Sequence, residues 1–123
     1  MSAPMVGFDL VEPNQIARML EKQVREDLFL PGEVDYSESQ YDPAQSFASR
    51  YAAKEAIVKA LGVDGWDPLE IEILEGGERT SVRLHGSILE RADELGVDVT
   101  ISMTHLPSMA GAVALATPRQ QIP

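Results

Sequence analysis

The sequence predicts an α+β domain with mainly antiparallel pairing. One long alanine-rich helix runs from Ser46 to Gly62. Short strand-like segments lie at 6–11, 69–74, 97–103 and 110–115, the first three with alternating faces. The element order is strand, two helices, two strands, helix, two strands, with a Gly-Gly hairpin signal between the middle strands. A chain of 123 residues suits one modest core, burying roughly two-thirds of its unfolded surface. We therefore expect a single domain over 1–123, with 1–4 and 117–123 as flexible tails.

In chain order, Val6, Phe8 and Leu10 alternate on one face of the first strand. Asp9 falls on the other face, beside Gly7. Aspartate is disfavoured within strands, and a solvent-facing side chain is the plain explanation. A helix is expected over Pro13 to Asp27, with Ile16, Leu20 and Val24 as its apolar stripe, helped by Met19. Arg18, Lys22 and Arg25 form a second stripe, either a solvated face or a docking surface for an acidic helix. The segment 35–42, acidic and polar, reads as a surface loop.

The long helix is made of strong helix formers. Pro43 stands before its start, and Gly62 fits a left-handed stop. Phe47, Tyr51, Val58 and Leu61 share an apolar face, while alanines at 48, 52, 53, 56 and 60 allow close packing on other sides. Arg50, Lys54, Glu55 and Lys59 also ride on it. The plain reading of Glu55 and Lys59 is an i,i+4 surface pair.

Next come a turn at 63–68, a strand with Leu69, Ile71 and Ile73 inward, and a turn signal at Glu75 to Glu78. Ser81 to Leu84 is the return strand. A helix over Gly86 to Leu95 has Ile88, Leu89 and Ala92 inward and stops at Gly96. Two strands, Val97 to Met103 and Ala110 to Leu115, flank the segment 104–108, which carries His105. A histidine there is most simply an ordinary loop residue. The strand Ala110–Ala116 has small or apolar side chains facing both ways, so a cover is expected on each face.

The net charge of −10 argues against nonspecific nucleic-acid binding and against anionic membranes. No apolar run is long enough for a membrane span, and the N-terminus has no signal-peptide pattern, so a cytoplasmic protein is expected. The chain has no cysteine, which excludes disulfides and thiolate chemistry. An acidic chain must concentrate its cations to bind an anion. Arg50, Lys54 and Lys59, three of ten basic residues, cluster on one helix.

The run Arg50-Tyr-Ala-Ala-Lys-Glu-Ala-Ile-Val-Lys-Ala-Leu-Gly62 resembles the central motif of the holo-acyl-carrier-protein synthases, small 4'-phosphopantetheinyl transferases. Three further blocks resemble that family in order: Gly7-Phe-Asp-Leu-Val11, Phe29-Leu-Pro-Gly-Glu33 and Ile101-Ser-Met-Thr-His105. The resemblance spans about Val6 to Ala116. Leucine replaces a threonine at position 30, Tyr41 and Asp42 stand where basic residues are frequent, and Arg79 replaces a proline.

The resemblance implies magnesium-dependent transfer of 4'-phosphopantetheine from coenzyme A to a serine of an apo acyl carrier protein, for fatty-acid synthesis. Adenosine 3',5'-bisphosphate is the other product. It implies Asp9, Glu55 and Lys59 as catalytic residues, with Asp9 and Glu55 as magnesium ligands. Arg50, Lys59, Gly62 and His105 would contact coenzyme A, and Arg18, Lys22 and Arg25 would dock the carrier. It also implies the transferase fold, a sheet packed on a central long helix, in a homotrimer with sites at subunit interfaces. Two alternatives stay open: a sibling transferase serving a polyketide or peptide synthase carrier, and a noncatalytic carrier-docking module.

Overall fold

The computed structural model describes residues 3–75 and 80–120. The elements are β1 (Met5–Val11), α1 (Pro13–Lys22), α2 (Pro31–Glu38), α3 (Pro43–Leu61), β2 (Ile71–Leu74), β3 (Ser81–Leu84), α4 (Gly86–Leu95), β4 (Val97–Leu106) and β5 (Met109–Pro118). Strands β1, β5 and β4 make one antiparallel sheet in that order, and β2 and β3 make a second. The expected α+β class and antiparallel pairing hold. Of the turn expected at Glu75 to Glu78, residues 76–78 lie outside the described residues, as does the departure at Arg79.

Helix α3 is the axis of the molecule. It lies against β1, β5 and β4 on one side and against α1 and α2 on others. Its sequence permits this, because Ala48, Ala52, Ala53, Ala56 and Ala60 are all buried. The sheet answers with Ala110, Ala112, Ala114 and Ala116 on the inner face of β5, also buried. Small residues on both surfaces bring the backbones close. Gly7 is the extreme case, since a Cβ there would strike the Ala56 carbonyl and the Ala60 amide nitrogen. This explains a glycine in mid-strand. The helix starts with Asp42 accepting from the Gln45 amide at 3.3 Å and Pro43 in its first turn. It stops at Gly62, whose φ of +65° is left-handed, as expected.

The faces of β1 are reversed relative to simple hydrophobic logic. Gly7, Asp9 and Val11 pack toward α3, while Val6, Phe8 and Leu10 are 66%, 54% and 55% exposed. Cross-strand neighbours continue this bare face, with Val6 opposite Leu115 and Phe8 opposite Val113. So only one face of the sheet is covered within the chain.

Several expected boundaries are corrected. The helix expected to Asp27 ends at Lys22, because Gln23 and Val24 turn extended before a 3-10 turn at Arg25–Asp27. Val24 therefore leaves the apolar stripe and is exposed. The expected loop at 35–42 is half helix. Pro31 opens α2, and Glu33 caps it by accepting the Leu30 amide at 2.8 Å. This adds a second helix before α3. Strand β2 begins at Ile71, after a 3-10 turn at Pro68–Glu70, so Leu69 is not a strand residue. Leu89 is exposed, whereas Ile88 and Ala92 are buried as expected. Strands β4 and β5 are longer than expected, and His105 belongs to β4 rather than a loop. Part of the expected C-terminal tail is structured. Residues 117 and 118 close β5, and Arg119 holds Asp93 at 2.8 Å and Asp98 at 3.0 Å.

Candidate active site

Asp9 and Lys59 come from elements fifty residues apart and meet where β1 crosses α3. Lys59 Nζ donates to Asp9 Oδ1 at 2.7 Å and to the Phe8 carbonyl at 3.3 Å. The lysine stem is 56% exposed, so its ammonium sits at the protein surface beside a buried carboxylate. Asp9 Oδ2 is buried and has no hydrogen-bond partner among the described residues. Glu55, one turn before Lys59, comes to the same place. Its carboxyl is pushed up to about 7, first by burial and then by the negative charge of Asp9 close by. Lys59 and the Tyr51 hydroxyl oppose that shift. The i,i+4 surface pair is not what forms: no Glu55–Lys59 ion pair occurs among the described residues.

Two carboxylates held together, one with an unpartnered buried oxygen, repel each other until a cation or proton intervenes. That donor set fits magnesium, a hard ion that takes one or two carboxylates and completes its shell with water and phosphate oxygens. No cluster of three or more acidic, histidine or cysteine ligands exists among the described residues. A dedicated all-protein cage for zinc or calcium is therefore not built from them.

Arg50 lies five residues before Glu55, about 7.5 Å along the helix axis. Its side chain is 7% exposed. Its Cζ stacks 4.5 Å from the centre of the Tyr36 ring, and Nη1 donates to the Ser46 carbonyl at 3.3 Å. Burial pulls its pKa down, against the support of Tyr36 and Glu33. Arg50 and His105 line one cavity of about 180 Å³ with Tyr36, Tyr41, Asp42 and Gln45 among its walls. Residues 55 positions apart are thus brought together, while Gly62 stands apart as the exposed helix stop.

Lys54 corrects the idea of a three-cation cluster. Its side chain is fully buried, facing away from the carboxylates. It donates to Glu33 Oε1 at 2.8 Å, to the Leu28 carbonyl at 2.9 Å and to the Pro68 carbonyl at 3.0 Å. Glu33 Oε2 accepts the Ile73 amide at 3.0 Å. The adjacent pair Lys54-Glu55 therefore splits: lysine ties four segments together inside, and glutamate turns to the site. The Glu33 hub was visible only as part of the Phe29–Glu33 block, with nothing to say that it is internal. The carrier-docking stripe is also broken. Arg18 and Lys22 are exposed on α1. Arg25 lies beyond the helix end, 3.2 Å from Glu38 and 5.9 Å from the Phe47 ring centre.

The chain is similar to known proteins over most of its length. Residues 5–114 match the family model of the 4'-phosphopantetheinyl transferase superfamily. A holo-[acyl-carrier-protein] synthase of Moorella thermoacetica is 39% identical over 116 residues, covering 89% of this chain and 90% of that protein. The ACPS–CoA complex of Chronobacterium ammoniagenes superposes with a TM-score of 0.85 at 26% identity, covering 97% of this chain and 100% of that one. The acyl carrier protein synthase of Mycobacterium tuberculosis superposes with a TM-score of 0.76 at 32% identity, covering 94% and 97%. Within that superfamily, the chain belongs to the holo-acyl-carrier-protein synthase family. Among the described residues, no helix is long and apolar enough to cross a membrane.

Proposed function

We propose that this protein transfers 4'-phosphopantetheine from coenzyme A to a serine of an apo acyl carrier protein, in the cytoplasm and in support of fatty-acid synthesis. The observation that carries the reading is the meeting of Asp9, Glu55 and Lys59 at the crossing of β1 and α3. The relatives bearing the synthase name, and a structural neighbour solved with coenzyme A, support it.

In this reading Asp9 and Glu55 hold a magnesium ion. When bound, that ion neutralises charge on the pyrophosphate oxygens of coenzyme A. The carrier serine gives up its hydroxyl proton to a carboxylate, of Glu55 or of the carrier, as its oxygen forms a bond to the phosphorus nearer the pantetheine. The bond from that phosphorus to the bridging oxygen breaks, and adenosine 3',5'-bisphosphate leaves with the electron pair. Lys59 already lies against Asp9 and reaches the same phosphates, steadying the leaving group as its charge grows. Arg50 and His105, sharing one cavity, bind the nucleotide end. Gly62 contributes at most backbone, since its role in the fold is to end α3. Arg18 and Lys22 remain the docking cations on α1, with Arg25 in a lesser part because Glu38 already engages it.

We also infer a homotrimer. A contiguous apolar face of Val6, Phe8, Leu10, Val113 and Leu115 is an unusual thing to leave in water. A neighbouring copy would cover it and would bring a second chain to the edge of the site.

Incubation with magnesium, coenzyme A and apo acyl carrier protein, followed by intact-mass measurement, tests the activity. The carrier should gain one phosphopantetheine. No gain with fatty-acid, polyketide or peptide synthase carriers would overturn the reading.

A further inference from the structure

Arg50 is not waiting empty-handed. One of its terminal nitrogens hydrogen-bonds the carboxylate of Glu75, at the end of β2. Both partners are shielded, with side-chain exposures of 7% and 23%. Thr80 Oγ1 reaches the other oxygen of Glu75 at 3.5 Å. Arg50 Nε is buried and has no partner among the described residues. The guanidinium thus has one carboxylate, one carbonyl and one aromatic face as company, and a nitrogen left over.

A buried guanidinium cannot stay charged and unpaired without a large penalty, because desolvation is compensated only by an anion close by. A phosphate meets that need better than a carboxylate, with more charge and more acceptor oxygens. We propose that Glu75 is a carboxylate placeholder on Arg50, which holds the guanidinium in position in the free protein and is displaced by a phosphate of the incoming nucleotide. Glu75 thereby sets the affinity for that substrate. This rests on Arg50 being a phosphate contact, as read above. The consequence is a competition within the chain: each binding event must first break an ion pair. The affinity is weaker than Arg50 alone would give, which favours release of the bisphosphate product.

The test is calorimetric titration of the full-length protein with adenosine 3',5'-bisphosphate, without a carrier, so that transfer is not needed. Glu75→Gln retains a hydrogen-bonding group and removes the competing charge. It should bind about tenfold more tightly than the unaltered protein at low salt. Glu75→Asp draws the carboxylate back by one methylene and should fall between the two; it carries the test if the glutamine variant does not fold. A purely structural role would weaken binding in both variants, so tightening is the diagnostic sign. If the unaltered protein binds the bisphosphate and neither variant binds more tightly, the placeholder is overturned while the nucleotide reading stands. If the unaltered protein binds neither the bisphosphate nor coenzyme A, both fall together.

Discussion

Lys59 pairs with Asp9 across the crossing of α3 and β1, at 2.7 Å, rather than with Glu55 one turn back on its own helix. That choice leaves Glu55 without a cation of its own and sets the electrostatics of the site. The ammonium is on the surface side and the buried Asp9 carboxylate lies behind it.

Removal of Lys59 should therefore affect chemistry more than binding. Lys59→Ala is expected to lower the single-turnover rate by about 100-fold, the scale of losing one charge-stabilising donor. Coenzyme A affinity should change by only a few-fold. An unchanged rate constant with weakened binding would make Lys59 a simple phosphate anchor.

The raised Glu55 pKa makes a prediction about stability. A carboxyl with a folded-state value of about 7, above its ordinary 4.5, binds more protons folded than unfolded between those limits. Stability of the metal-free protein is then lost as pH rises from about 4.5 through about 7. Glu55→Gln imitates the protonated acid and escapes that loss. Its melting temperature should exceed that of the unaltered protein by a few degrees at pH 8 and match it at pH 4. Magnesium at pH 8 should narrow the gap. Equal melting temperatures at pH 8 without metal would remove the repulsion between Asp9 and Glu55 from the account.

Lys54 should behave as an interior residue. Lys54→Ala leaves Glu33 buried without its cation and is expected to cost about 3–5 kcal/mol. The double variant Lys54→Met with Glu33→Gln should recover much of that. Urea unfolding measures both; a loss under about 1 kcal/mol for Lys54→Ala would place the ammonium in solvent instead.

The bare sheet face predicts assembly. Phe8→Asp puts a charge where a neighbouring copy would sit, and light scattering should show monomers where the unaltered protein gives trimers. An unaltered protein that is monomeric and fully active would end the trimer inference. So would a trimeric Phe8→Asp variant.

Much of this was legible in the residues, and the gaps have physical causes. Helix α3 and its glycine stop follow from local propensity, which needs no partner. The Gly-Phe-Asp block pointed to Asp9, and Gly7 proved to be the point of contact with α3. Local pattern could not say which face of β1 is inside, because Phe8 and Leu10 are apolar yet point away from their own chain's core. Helix α2 was hidden by its composition: its apolar content is small, and much of its hold comes from Glu33 binding a lysine 21 residues away. The inward turn of Lys54 was equally hidden. Adjacent helix positions point about 100° apart, and only the surroundings decide which one is buried. The Glu75–Arg50 pair joins residues 25 apart on different elements, a contact no local motif announces.

The central claim is that Asp9 and Glu55 together hold the metal on which transfer depends. The most direct measurement is an intact-mass time course of apo acyl carrier protein with coenzyme A over a series of magnesium concentrations, for the unaltered protein, Asp9→Asn and Glu55→Gln. The account predicts conversion that rises with magnesium for the unaltered protein. Both variants, folded by circular dichroism, should be slower by about 100-fold or more. Near-unaltered turnover by either variant at low millimolar magnesium would contradict it.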